Sequence, residues 1–422
     1  MYRFGFDNYK DEEIKHPNLW SDDSSAFITH LPSSWHELLS RAEIPFETNS
    51  VELYNLNREK YIYIVEPLGD PYDWLGFDEN LQRIDFFLKN ISNLALDDIR
   101  NKRAKLLVWW GSEAHPLIVR DLNICQELHN EARRLGFDSS QITFVSSNML
   151  MNDSYKSWKT NSDYRDESDI NIIQFLGYRE SIKAFIKTNN WESSEPKTDK
   201  YDNSFLCFNR NLLNPHRTLL LTMLQDNKLL ENSLTSYQKI HDDDLSRIVT
   251  NGKYHFNISS ITANKHQKIL ETLVADSPKV IDVDEWETNH FDTSTSWPYD
   301  KTFFSLVSET HFVWRCKFLS EKTFKAIYNH HPFILIGDCN SLELLRSYGF
   351  KTFEPFIDES YDKEVDNYSR MKLAIKEVKK LCLLDKNGRK EFLKNTLDIV
   401  LHNYQILVED NSNRIAETFR KI

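Results

Sequence analysis

CKFLSEKTFKAIYNHHPFILIGD (residues 316–338) reads as a short loop, a helix and then a buried strand. Ser320 stands where a helix wants an N-cap, and Glu321 suits the first turn, where a carboxylate meets the positive end of the helix dipole. Phe324 and Ile327 give the helix an apolar stripe. The run PFILIG (332–337) is apolar throughout and short, as a buried strand is. Lys322 is the misfit, a cation at the positive end of the dipole. The penalty is only ~0.3–1 kcal/mol, so a solvated lysine is one reading. The other is an anion bound at the helix start, where the lysine and exposed backbone N–H groups would both face it.

The same alternation extends outward on both sides. KYIYIVEP (60–67), AKLLVWWGSE (104–113), QITFVSS (141–147) and INIIQFLGY (170–178) read as strands. NLQRIDFFLKNI (80–91) and DLNICQELHNEARRLGF (121–137) have helical spacing, the latter with Leu122, Cys125, Leu128 and Leu135 on or near one face. The first 50 or so residues read as irregular, with loop-like pieces such as SDDSS and LPSS. After the polar stretch KTNNWESSEPKTDKYDN (187–203), read as a linker, the pattern restarts. SFLCFNR (204–210), KVIDVD (279–284), FFSLVSE (303–309) and PFILIG are predicted strands. NPHRTLLLTMLQ (214–225) is a predicted helix with Asn214 as N-cap and Pro215 at its first position. Residues 367–422 read as mostly helical. Strands alternating with helices predict a parallel α/β architecture, and a chain of 422 residues accommodates two such domains with a cleft between them.

Composition narrows the function classes. Net charge is −12, which disfavours a general nucleic-acid or membrane-surface binder. No run of about 18 apolar residues occurs, so no membrane span is expected. MYRFGFDNYKDEEIK lacks the apolar core of a signal peptide, and the five cysteines (Cys125, Cys207, Cys316, Cys339, Cys382) include no CxxC pair. The expectation is a cytoplasmic protein with free thiols. Only 10 glycines argue against a glycine-rich phosphate cradle.

Two further corners carry chemistry. In FLCFNRNLLNPHR (205–217), Arg210 follows a strand and Arg217 opens the next helix; guanidinium forks suit phosphate oxygens, although a surface ion pair would use the same residues. In LLVWWGSEAHP (106–116), Glu113 sits at the carboxyl end of a strand. It could act as a general base towards a hydroxyl, or it could simply cap a helix. His115 beside it reads as structural or a substrate contact.

Residues 303–337, FFSLVSETHFVWRCKFLSEKTFKAIYNHHPFILIG, resemble the signature of family 10 glycosyltransferases, the α-1,3/1,4-fucosyltransferases. That pattern runs F-x-x-x-x-E-N-S, a short gap, D-Y-[VI]-T-E-K, a helix, then V-P-[VI]-V-x-G. Glu309 and Thr310 stand for E-N, FLSEK for YVTEK and HPFILIG for VPVVLG. Thr310-His311 replaces Asn-Ser, and the gap before SEK is stretched. The resemblance implies a GT-B-like fold, two Rossmann-like domains facing across a cleft. Residues 1–190 would be the N-terminal acceptor-binding domain, 200–375 the nucleotide-sugar-binding domain and 376–422 C-terminal helices. It implies an inverting glycosyltransferase that moves a sugar from GDP-sugar or another NDP-sugar, fucose-type by family default, to a hydroxyl of a glycan or glycoconjugate. Glu113 would be catalytic. Arg210, Arg217, Glu309, Ser320, Glu321 and Lys322 would bind the donor, with Glu321 on the ribose hydroxyls. No cofactor or metal is required, and a divalent ion would at most stimulate.

Three alternatives stay open. Asp282-Val283-Asp284 is a D-x-D of the kind that holds a metal in other glycosyltransferases, while HDDD (241–244) reads as a solvated turn. A non-catalytic nucleotide-sugar or glycan-binding protein could keep the fold. A glycosyltransferase acting on modified nucleic acid is the third, against the acidic balance.

Overall fold

The computed structural model describes residues 1–7, 35–67, 71–78, 80–89, 91–111, 114–188, 190–196, 201–281, 295–409 and 411–422. The chain divides into two units, one of residues 1–181 with 410–422 and one of residues 182–409. Both are parallel α/β structures.

The first unit carries β1 (Tyr2–Phe6), β2 (Phe46–Ser50), β3 (Tyr61–Val65), β4 (Ala104–Trp110), β5 (Ile118–Val119), β6 (Leu122–Asn123), β7 (Ile142–Ser146) and β8 (Asn171–Gln174). Six of them form one parallel sheet in the order β2-β1-β3-β4-β7-β8, and β5 and β6 make a small antiparallel ribbon. The period-2 geometry of β4 divides its side chains between two cores. Leu106, Val108 and Trp110 face the core that holds the helix Ile124–Leu135. Leu107 and Trp109 face the other, together with Phe4, Trp35, Ile415 and Phe419. The last helix, Ser412–Phe419, thus belongs to the first unit, with Phe419 stacked on Trp109 at 5.2 Å. The sequence reading had grouped it with the C-terminal helices that follow the second domain.

Three expectations are corrected in the described residues. The opening stretch is not irregular: β1 and β2 lie in the sheet. Gly5 looks like a break in YRFGF, yet it is there for close packing. A Cβ at Gly5 would sit 2.3 Å from Cδ2 of Tyr61. Residues 80–91 form no helix. Leu81 adopts a left-handed backbone (φ 59°), and a bridge between Phe77 and Arg83 closes a turn instead. The Arg83 guanidinium lies over the Phe77 ring at 4.3 Å, and Ile84 is exposed. The acids of HDDD are the first turn of the helix Asp242–His255, where they complement the dipole; Asp244 closes a capping box with His241. SDDSS, the 31–34 loop and Asp282-Val283-Asp284 lie outside the described residues, and Lys279 of the expected 279–284 strand makes only an isolated bridge to Tyr237.

The second unit has β9 (Asn203–Phe208), β10 (Ser233–Ser236), β11 (Thr302–Ser308) and β12 (Phe333–Ile336), all parallel, in the order β10-β9-β11-β12. FILI of β12 and TFFSLVS of β11 are buried at every position, as a sheet covered on both faces requires.

Candidate functional site

Strand order places the site. From β9 the chain crosses to β10 on one side, and from β11 it crosses to β12 on the other. The loops leaving β9 and β11 therefore diverge, and open α/β sheets bind ligands in the crevice such a reversal leaves at the carboxyl ends of the strands. Asn209 and Arg210 follow β9 there, and Glu309 and Thr310 follow β11.

Glu309 is fully buried and its carboxylate accepts hydrogen bonds from four donor groups. Ser320 donates its backbone N–H (3.1 and 3.2 Å to the two oxygens) and its hydroxyl (2.6 Å). Thr323 donates its hydroxyl, and Thr310 its N–H at 3.2 Å. Apart from Thr310, which follows Glu309, those donors belong to the N-cap and first turn of the helix Glu321–Tyr328, so Glu309 is a carboxylate supplied by the protein at a helix N-terminus. Its buried carboxylate positions Ser320 and Thr323.

Lys322 is accommodated in the same turn. Its ammonium pairs with Glu321 Oε1 at 2.9 Å and donates to Ser320 Oγ (3.2 Å) and Thr310 Oγ1 (3.3 Å). Burial pushes the Glu321 carboxyl up, but Lys322 and Lys325 outweigh it and hold it below its usual value. The first-turn lysine is thus a fixed charge, half-buried, aimed by one carboxylate and two hydroxyls.

The β9 corner braces this arrangement from beneath. The Arg217 guanidinium reaches the carbonyls of Ser308 (3.4 Å) and Glu309 (3.3 Å). His216 Nε2 donates to the Glu309 carbonyl at 2.9 Å. Burial, and then the neighbouring Arg217, hold His216 well below its usual pKa, so its imidazole is neutral. Asn209 Nδ2 donates to the Arg217 carbonyl at 2.9 Å. The Arg210 carbonyl accepts the Gln238 N–H at 3.0 Å, tying the loop after β9 to the loop after β10.

Five of the predicted residues, Arg217, Glu309, Ser320, Glu321 and Lys322, therefore form one contact network, and Arg210 lies at the same edge. Glu113 lies outside the described residues; its flanks, Gly111 and Ala114, follow β4. His115 stacks on Trp110 at 4.7 Å and its carbonyl accepts from Asn148, which fits a structural part.

Sequence reasoning missed His216, Asp338 and Arg370. Asp338 ends the 316–338 segment and takes the Cys316 N–H at 2.8 Å. Arg370 comes from the distant helix Asn367–Cys382, yet it donates to the carbonyls of Phe312 and Gly337. Nothing local marks it.

Three buried polar atoms at this edge have no hydrogen-bond partner among the described residues: Asn209 Oδ1, Ser236 Oγ and Ser308 Oγ. They end three adjacent strands, β9, β10 and β11, on either side of the strand-order reversal. Buried polar groups are nearly always paired, so such a row calls for an explanation. A recess of about 600 Å³ lies instead at the opposite, amino ends of β9 and β11, lined by Tyr201, Asp202, Lys301 and Arg389 among others. There Lys301 is neutralised by Asp202 at 2.9 Å, and the strand-order argument favours the carboxyl edge. Among the described residues no cluster of His, Cys, Asp or Glu could hold a metal ion, and no helix is long and apolar enough to cross a membrane. No family model, curated protein or solved structure matches the chain.

Proposed function

We propose that the protein is an inverting glycosyltransferase of GT-B-like architecture, fucosyltransferase-like, and that the carboxyl edge of β9 and β11 receives the diphosphate of a nucleotide-sugar donor. The observation that carries this is the strand-order reversal flanked by a fixed lysine, Lys322, and by polar atoms on three adjacent strand ends that have no partner among the described residues. Such an edge is suited to a polyanion with many acceptor oxygens.

In this reading the bond between the anomeric carbon and the β-phosphate oxygen breaks while the acceptor oxygen attacks from the opposite face. The configuration inverts and no covalent enzyme intermediate forms. Negative charge grows on the departing diphosphate, where Lys322 and Arg210 stabilise it, a contribution of several kcal/mol in preorganised sites. Arg217, His216 and Glu309 hold the strand end and helix start in place. Glu321 keeps acceptor capacity for ribose hydroxyls. Glu113 takes the proton of the acceptor hydroxyl. No metal is required, so EDTA should leave turnover intact.

Calorimetry with GDP, UDP, CDP and ADP on wild type and Lys322→Ala tests the donor site. Binding of one nucleotide, weakened tenfold or more by the substitution, is expected, and GDP would favour fucose-type donors. A well-folded protein that binds none of the four would overturn the proposal.

A further inference from the structure

The loop between Thr310 and Ser320 presents an indole to solvent. Trp314 is 43% exposed and Tyr254, at the end of the helix Asp242–His255, is 82% exposed. The His255 ring stands between them, edge-on to Trp314 at 5.0 Å and to Tyr254 at 4.9 Å. Burial keeps His255 below its usual pKa, so the middle ring is neutral at neutral pH. Asn367 Nδ2 fixes this corner by donating to the His255 carbonyl at 2.9 Å.

The loop is held on both sides of the indole. Arg370 grips the Phe312 carbonyl, and Asp338 takes the Cys316 N–H at 2.8 Å. Between them Arg315 has a left-handed backbone (φ 54°), which a residue with a side chain keeps only where the surroundings impose it. An exposed tryptophan on a clamped, strained loop is not a loosely packed side chain. It stands four residues from Thr310, the Lys322 partner, so the two lie within about 14 Å along the chain. That is within the length of an extended nucleoside diphosphate.

We infer that Trp314, backed by His255 and Tyr254, is a stacking ledge for the nucleobase of a nucleoside diphosphate whose phosphates lie at Lys322. This deepens the proposed function and rests on it. Aromatic stacking tolerates any base, so the ledge supplies affinity, while the choice among bases falls to other groups.

The test compares the tightest-binding of GDP, UDP, CDP and ADP, the corresponding nucleoside and inorganic pyrophosphate on wild type, Trp314→Ala, Trp314→Phe and Lys322→Ala. Trp314→Ala should weaken the nucleoside diphosphate about tenfold or more, leave pyrophosphate unchanged and be rescued in large part by Trp314→Phe. Lys322→Ala should weaken both diphosphates. Equal nucleoside diphosphate affinity in wild type and Trp314→Ala, with Lys322→Ala still impaired, would overturn the ledge and leave the proposed function standing. Trp314-dependent binding of the nucleoside with no affinity for either diphosphate would support the ledge and overturn the phosphate site. Matching thermal unfolding of Trp314→Ala and wild type excludes misfolding as the cause.

Discussion

Ser320 holds Glu309 through both its backbone N–H and its hydroxyl, so the helix Glu321–Tyr328 begins on the residue that follows β11. The hydroxyl is used fully: it donates to Glu309 and accepts from the Lys322 N–H and ammonium. One buried carboxylate thereby sets, through Ser320, the position of the Lys322 ammonium.

Glu309→Gln should destabilise the protein by about 1–3 kcal/mol, because an amide N–H₂ replaces one of two oxygens that meet only donors. Urea unfolding of the variant reads this as a lower midpoint with an unchanged slope. A midpoint equal to wild type would remove Glu309 from its anchoring role.

Burial pushes the Asp338 carboxyl up to about 6, against the pull of the Cys316 N–H and of Arg370. The folded protein therefore holds this proton more tightly than the unfolded chain. The associated stability is fully present below the ordinary aspartate value near 4 and is lost as pH rises to about 6, at most about 3 kcal/mol. Asp338→Asn keeps an oxygen for the Cys316 N–H and removes the titration. Its stability relative to wild type should improve between pH 4 and 6.5 in parallel urea titrations; a constant difference across that range would refute the shift.

Gly5→Ala places a methyl group against the Tyr61 ring. That ring is pinned, stacked on Tyr54 at 5.1 Å with its hydroxyl donating to Asp98 at 3.0 Å, so it has little room to yield. A loss of about 1–3 kcal/mol is expected, as for other overpacked interiors. Thermal unfolding checks it, and a variant as stable as wild type would show that β1 can shift.

In the second unit β11 and β12 were legible because their apolar runs end in polar turns, whereas β10, Ser-Leu-Thr-Ser, carries no apolar run and was missed. FFSLVSE and PFILIG could hardly be anything else, and the polar residues that follow them necessarily fall at the sheet edge. The first unit hid its opening strand in YRFGF, where a glycine chosen for contact with Tyr61 imitates a breaker. NLQRIDFFLKNI shows the opposite failure: its spacing is helical, but Leu81 is left-handed and Arg83 turns back to bridge and cover Phe77. At the site, residue types at strand ends were readable, whereas roles were not. Glu309 was readable as a polar strand-end residue, but the donors that hold its carboxylate lie eleven and fourteen residues downstream, beyond any local pattern. Arg370 acts from a helix 33 residues beyond Gly337, a distance no local pattern can bridge.

Phe419 has a consequence for how the chain assembles. The face of the first sheet that carries Phe4 and Trp109 is closed by a side chain from the last helix described. During synthesis the second unit emerges as one uninterrupted segment and can fold as soon as it clears the ribosome. The first unit, though translated earlier, must wait with part of its apolar face uncovered until residues 412–419 arrive. Order of translation and order of completion are thus reversed, and the interval between them is when this protein is most exposed to aggregation.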